Sequence, residues 1–246
     1  MVEDTIPGSG LFNGISAERL QQMMAHNHTE LFKMNATANG GEVRERSGVV
    51  WTNEGGKNKG HIPFPVMTRE SAGAIIDEIL QYYREREITN IGCWSLHPLP
   101  YRAMGVQLLA RGFQPGWRPN WMALDLDEIN TGYAVPPGLE IIPDNETSTH
   151  GLKDLPYSGD NGAVAPAAMK EHAGGIVQRF FAMLDGKIAG QSAVFIPPGG
   201  DGACGLYEVG VLPALRNRGI GKAVVTAACV YAKQQGCRYA TLNGTG

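Results

Sequence analysis

The sequence predicts an α/β (α+β) protein with a mixed central sheet flanked by helices. Three observations predict it. Runs with strand alternation recur between runs whose apolar residues follow helical spacing. Two strand-like runs over 179–184 and 188–196 are joined by Asp185-Gly186, a type I′ hairpin signal. A third strand-like run over 203–211 leads through a short turn into a basic, glycine-bearing loop and then a helix. With 246 residues the chain is long enough to bury a sizeable core as one or two domains.

In chain order, the first helix is expected over 16–32, with Leu20, Met23 and Met24 turned inward. Strands follow over 42–46 and 49–52. A second helix over 70–87 places Ile75, Ile76, Ile79, Leu80 and Tyr83 on one face. A strand over 90–96, a helix over 100–111 stopped by Gly112, and a strand over 121–126 complete the first half. The polar run 127–132 and Pro136-Pro137-Gly138 then mark a boundary. We therefore expect a first domain over 1–130, a linker over 131–138 and a second domain over 139–246. In the second domain Ile220, Ala223, Val224, Ala227, Val230 and Tyr231 recur at helical spacing, Gly236 stops the helix, and 239–242 is a last strand.

The densest chemistry lies at Arg216-Asn217-Arg218-Gly219-Ile220-Gly221-Lys222. A helix start offers unpaired N–H groups and the positive end of a dipole. Glycine removes the Cβ atoms that would hold a diphosphate away from those donors. Arg216 and Arg218 add charge-assisted hydrogen bonds to phosphate. The Walker loop is excluded, since Lys222-Ala223 lacks the required Ser or Thr. The order Arg-x-x-Gly-x-Gly also differs from the dinucleotide fingerprint.

The hairpin, the strand, the run Val-x-Pro-x-x-Arg-x-Arg-Gly-Ile-Gly-x-Ala at 211–223, the helix and the closing strand together resemble the GNAT superfamily of N-acetyltransferases. The resemblance covers roughly 138–246. It implies the acyl-CoA N-acyltransferase fold, with Asn217 to Lys222 holding the pyrophosphate of acetyl-coenzyme A. It maps Val209, Gly210 and Val211 onto the strand edge that pairs with the pantetheine arm. Family members continue past the fourth strand with a Tyr-bearing helix, a Gly-Phe turn and two strands. This chain stops at Gly246, so a sheet ending there is expected to show an unpaired edge. We expect a truncated gene or a fragment of a longer enzyme. The alternative is a short protein that borrows its missing strands from a partner.

In the first half, Trp94-x-x-x-Pro98 before a helix, Arg111-Gly112-Phe113, and the strand starting at Trp121 resemble the second half of an acetyltransferase domain. The pattern is similar to tandem members of the superfamily whose first copy has decayed, which implies two tandem copies of the fold. Where a phosphate loop would lie, before the second helix, stands Phe64-Pro-Val-Met-Thr-Arg-Glu-Ser71. Without glycine, and with Pro65 lacking an N–H, it is expected to bind no coenzyme. The first half is expected to form a wall of the acceptor pocket, lined by Trp117 and Trp121; a plain unrelated α/β domain is the alternative.

Implied chemistry is attack of an amine on a thioester, with acetyl-CoA as co-substrate and no metal. The N–H of Val209 or Val211 is the natural donor to the thioester carbonyl. Glu208 is the carboxylate on the strand entering the loop and the candidate general base, with a solvated edge residue as the competing reading. Strand alternation turns Tyr207 the other way, toward the core. The acceptor is expected to be a small-molecule amine of unidentified structure. A non-catalytic CoA-binding or interaction module is the alternative function. With 21 basic and 24 acidic residues, net charge −3, no broad basic face for nucleic acid is implied. The four cysteines, Cys93, Cys204, Cys229 and Cys237, show no Cys-x-x-Cys spacing and read as buried free thiols of a cytoplasmic protein. No signal peptide or membrane span is visible. His26-x-His28 reads as a solvated pair, since i and i+2 on a helix face different ways.

Overall fold

The computed structural model describes residues 14–95, 102–144, 155 and 174–244. Helix α1 (Ala17–Ala38) starts at Ser16, whose hydroxyl accepts the Arg19 N–H at 3.1 Å, a standard N-cap. Strands β1 (Glu42–Arg46), β2 (Val49–Glu54), β3 (Lys57–Pro63) and β4 (Asn90–Trp94) form a sheet in that order, antiparallel except for the parallel β3–β4 pair. The parallel pair requires a crossover, supplied by α2 (Arg69–Arg84). Its Ile75, Ile76, Ile79, Leu80 and Tyr83 pack with Val49, Trp51 and Ile62. Helix α3 (Arg102–Leu109) follows; Leu96, Pro98 and Pro100, which sequence reading used for the end of β4 and the start of this helix, lie outside the described residues.

The second sheet has six strands in the order β5-β10-β9-β8-β7-β6. These are β5 (Asn120–Asp125), β6 (Leu139–Asp144), β7 (Ile176–Leu184), β8 (Lys187–Ile196), β9 (Ala203–Val211) and β10 (Tyr239–Gly244). Helix α4 (Ile220–Gln234) joins β9 to its parallel neighbour β10. Val224, Ala228, Cys229 and Ala232 of α4 bury against Phe180, Val194, Cys204 and Leu206 of the sheet.

Three expectations need correction. First, β10 does not end the sheet. On its far side it pairs antiparallel with β5, from Tyr239↔Asp125 to Gly244↔Asn120. The strand read as closing the first half therefore lies in the second sheet, and it supplies the backbone partners that an edge at β10 would lack. Second, β3 was not foreseen, because Lys57-Asn-Lys-Gly carries no apolar alternation. Third, α1 runs six residues beyond Phe32 and contacts strands of both sheets, β1 to β3 on one and β8 and β9 on the other.

The tightest point of that bridge is Gly205 on β9. A Cβ there would collide with Asn27 Oδ1 of α1 and with the Tyr207 ring. Asn27 cannot swing away cheaply, since its Nδ2 donates to the Phe195 carbonyl at 3.1 Å and its residue is fully buried. Gly205→Ala is expected to cost about 1–3 kcal/mol of stability by overpacking, read as a lowered urea midpoint at unchanged slope.

Candidate functional site

The loop between β9 and α4 forms a concave turn ahead of the helix. Asn217 and Gly219 both take left-handed backbone, with φ of 62° and 83°. Asparagine tolerates this region and glycine adopts it freely. The first bond of the helix runs from the Ala223 N–H to the Gly219 carbonyl at 3.0 Å. Among the described residues, the N–H groups of 217–222 have no backbone acceptor. Alternating right- and left-handed residues before a helix point such N–H groups into one concavity. A cleft of about 530 Å³ lies there, lined by Val209, Gly210, Val211, Arg216, Asn217, Gly219, Ile220, Gly221 and Lys222. Arg218 is exposed and is not part of that lining. Arg216 folds back on the strand end, its Nε donating to the Val211 carbonyl at 3.3 Å. Lys222 rests over the Tyr133 ring at 4.5 Å, so the segment after β5 packs beside this loop.

Upstream of the loop, β9 leaves its neighbour. Pairing with β10 stops at Leu206↔Leu242, while β10 stays paired with β5 to Gly244. Pairing with β8 continues on the other side to Gly190↔Val211. Among the described residues, the 207–211 backbone thus has no strand partner on its β10 side. The same stretch carries a bulge. Gln191 faces Gly210 and Ala193 faces Tyr207, so Ser192 alone opposes Glu208 and Val209, and Glu208 has φ of 53°. Two residues against one is the signature of a β-bulge, which breaks alternation and re-aims side chains.

Tyr207 packs against the buried cluster of Leu31, Met34, Val177 and Phe195, as its core reading expects, and it also lines the cleft that Glu208 and Val209 line. That second cleft, about 1640 Å³, lies between the two sheets. Its walls include Phe32, Trp94, Trp117 and Trp121, with Glu54 and His61 from the first sheet. Burial pushes the Glu208 carboxyl up to about 7, partly opposed by the Arg179 guanidinium. Arg179 is itself buried, its Nε donating to Asp144 Oδ2 at 2.7 Å across β7 and β6.

His28 departs from its expected solvated position. It is 6% exposed, wedged among the rings of Phe32, Phe64, Trp94, Trp121 and Tyr207 at centroid distances of 4.8–5.9 Å. Burial, helped by His61, pulls its pKa down to about 4. The signal was present in the sequence. Met24, His28 and Leu31 share one face of α1 at spacings of four and three.

Residues 145–245 match the family model described as the acetyltransferase (GNAT) family. Those residues, about two fifths of the chain, are similar to that family. The structure is similar to a GCN5-related N-acetyltransferase from Kribbella flavida, with a TM-score of 0.67 at 13% identity over 90% of this chain and 84% of that one. It is also similar to a tandem GNAT protein from the clavulanic acid biosynthesis pathway, with a TM-score of 0.55 at 16% identity over 81% of this chain and 72% of that one. At those identities the likeness concerns the fold, and the two-sheet architecture is compatible with two tandem copies of it. No curated protein matches the sequence.

The cleft beside the loop before α4 and the larger cleft between the sheets meet at Val209, which lines both. Cys204, Cys229 and Cys237 are buried free thiols in the second half, and Cys93 lines the larger cleft with its thiol pushed up to about 12 by burial. No helix among the described residues is long and apolar enough to cross a membrane.

Proposed function

We propose that this chain transfers an acetyl group from acetyl-coenzyme A to the amine of a small molecule. The observation that supports it best is the continuity at Val209 between an anion cradle and a separate, aromatic-walled cleft. One end fits a pyrophosphate and the other fits an organic amine. The coenzyme supplies an activated thioester. In this reading the free N–H groups of 217–222 hold the pyrophosphate, and Arg216 and Lys222 stand at the rim. The unpartnered backbone of Val209 and Val211 takes the pantetheine arm as an added strand. An N–H of the same stretch donates to the thioester oxygen as charge develops on it.

The amine nitrogen forms a bond to the carbonyl carbon and the carbon–sulfur bond breaks, releasing the coenzyme thiolate. Glu208 takes the proton that the amine must lose. A carboxyl that titrates near 7 is half ionised at neutral pH, and is a far stronger base than an ordinary Glu. The first half closes the cleft over this centre, through α1, β3, β4 and the loop before β5. The test is amine-dependent release of free coenzyme thiol across a panel of small primary amines. Transfer to at least one of them is expected. Acetyl-coenzyme A binding with no turnover against any amine would favour a binding module instead.

A further inference from the structure

We propose that the first half supplies a substrate-contacting group to the transfer site. The imidazole of His28, locked as its Nδ1–H tautomer, presents the Nε2 lone pair to an N–H of an acceptor amine carried on an aromatic body. The inference rests on the transfer reading above.

The tautomer follows from a chain of hydrogen bonds. Asn27 Nδ2 donates to the Phe195 carbonyl at 3.1 Å, so the amide is oriented with Oδ1 as the acceptor. The Tyr207 hydroxyl spends its single proton on that Oδ1, at 2.5 Å. Its oxygen is then left only to accept, and His28 Nδ1 lies 3.3 Å from it. A proton on Nδ1 completes the chain, and a neutral ring holding that proton has none on Nε2. The ring is neutral at pH 7, because burial holds its pKa near 4. His28 lines the cleft that Glu208 also lines, and among the described residues its Nε2 has no hydrogen-bond partner.

His28 Nε2 is not among the fully enclosed unpaired polar atoms, so it is open to a donor in the cleft. The chemistry already assigned there offers a suitable donor. A deprotonated primary amine has two N–H bonds and one lone pair. Fixing one N–H on His28 while Glu208 addresses the other directs the lone pair at the thioester. The ring's low basicity suits this role, because it holds the amine without protonating it. Trp94 at 4.9 Å and Trp121 at 5.6 Å flank the imidazole, so the body attached to that amine meets aromatic faces.

Long-range ¹⁵N–¹H correlation of histidine-labelled protein reads the tautomer directly. His28 is expected as Nδ1–H with bare Nε2 at pH 7. Tyr207→Phe removes the oxygen that Nδ1–H addresses, and a growing share of the Nε2–H form is expected. Adding coenzyme A and 2-phenylethylamine should shift the Nε2 resonance of His28 with little change at Nδ1. In the transfer assay with this amine, His28→Phe keeps the aromatic packing and should lower kcat/KM by ten- to a hundredfold. A His28 found as Nε2–H, or protonated at pH 7, overturns the inference. So does unchanged kcat/KM in a folded His28→Phe variant. Failure of the wild-type chain to bind acetyl-coenzyme A would instead remove the transfer reading and leave the measured tautomer standing.

Discussion

Glu208→Gln is expected to lower acetyl transfer by 10² to 10⁴-fold, the usual contribution of a general base. Wild-type kcat/KM should rise with pH through about 7 and level off above it, following ionisation of the raised Glu208 carboxyl. The Gln variant should show no such limb. Stability should move the opposite way. A carboxyl whose folded pKa is raised binds its proton more tightly in the folded chain than in the unfolded one. Its contribution is fully present below about 4.5 and is lost as pH rises through about 7. At pH 8 the Gln variant should therefore be more stable than wild type by about 3 kcal/mol, with the gap closing toward pH 4. Urea titrations at both pH values, beside the activity profile, separate this from simple misfolding. Equal activity of the two proteins would show that Glu208 is not the base.

Arg179→Met should be the most damaging single change to the fold. Arg179 and Asp144 are each 1% exposed at their side chains, and Nε–Oδ2 is 2.7 Å. Removing one member of a buried pair takes the counter-charge away from the other, at a cost of about 3–5 kcal/mol. Replacing both together, as Arg179→Met with Asp144→Leu, should recover most of that loss, since no charge is then stranded. Urea denaturation of the single and double variants measures it. The same guanidinium pulls the Glu208 carboxyl downward, so the rising limb of the activity profile should move to higher pH in the double variant. A single variant as stable as wild type would contradict the buried-pair account.

The parts of this protein that sequence reading found are those specified by neighbours along the chain. The loop before α4 is one: a left-handed turn, glycines and a helix start all fall within 216–222, and their physics is local. The helices α2 and α4 were legible for the same reason, as apolar stripes, the second stopped by Gly236. What escaped was decided across the fold. Nothing in 120–125 says which sheet will pair with it, because β5 meets β10 only after more than a hundred intervening residues. The bulge at Glu208 was invisible, since no glycine marks the left-handed residue and the extra residue shows only against Ser192 on β8. His28 was misread because one residue was paired with His26 by proximity, when the stripe through Met24 and Leu31 was the informative comparison. Lys57-Asn-Lys-Gly read as loop; Gly60 is required there because a Cβ would strike the Tyr83 ring.

The central claim is that the loop before α4 cradles the pyrophosphate of acetyl-coenzyme A. Gly219 carries φ of 83° at the helix start, where a β-branched side chain is both strained and placed at the mouth of the cradle. Isothermal titration of acetyl-coenzyme A into the full chain and into Gly219→Val tests it most directly, with circular dichroism to establish that both are folded. Saturable binding to the wild-type chain, weakened at least tenfold in Gly219→Val, is the predicted result. A folded Gly219→Val that binds as tightly as wild type, or a wild-type chain that does not bind, would contradict it.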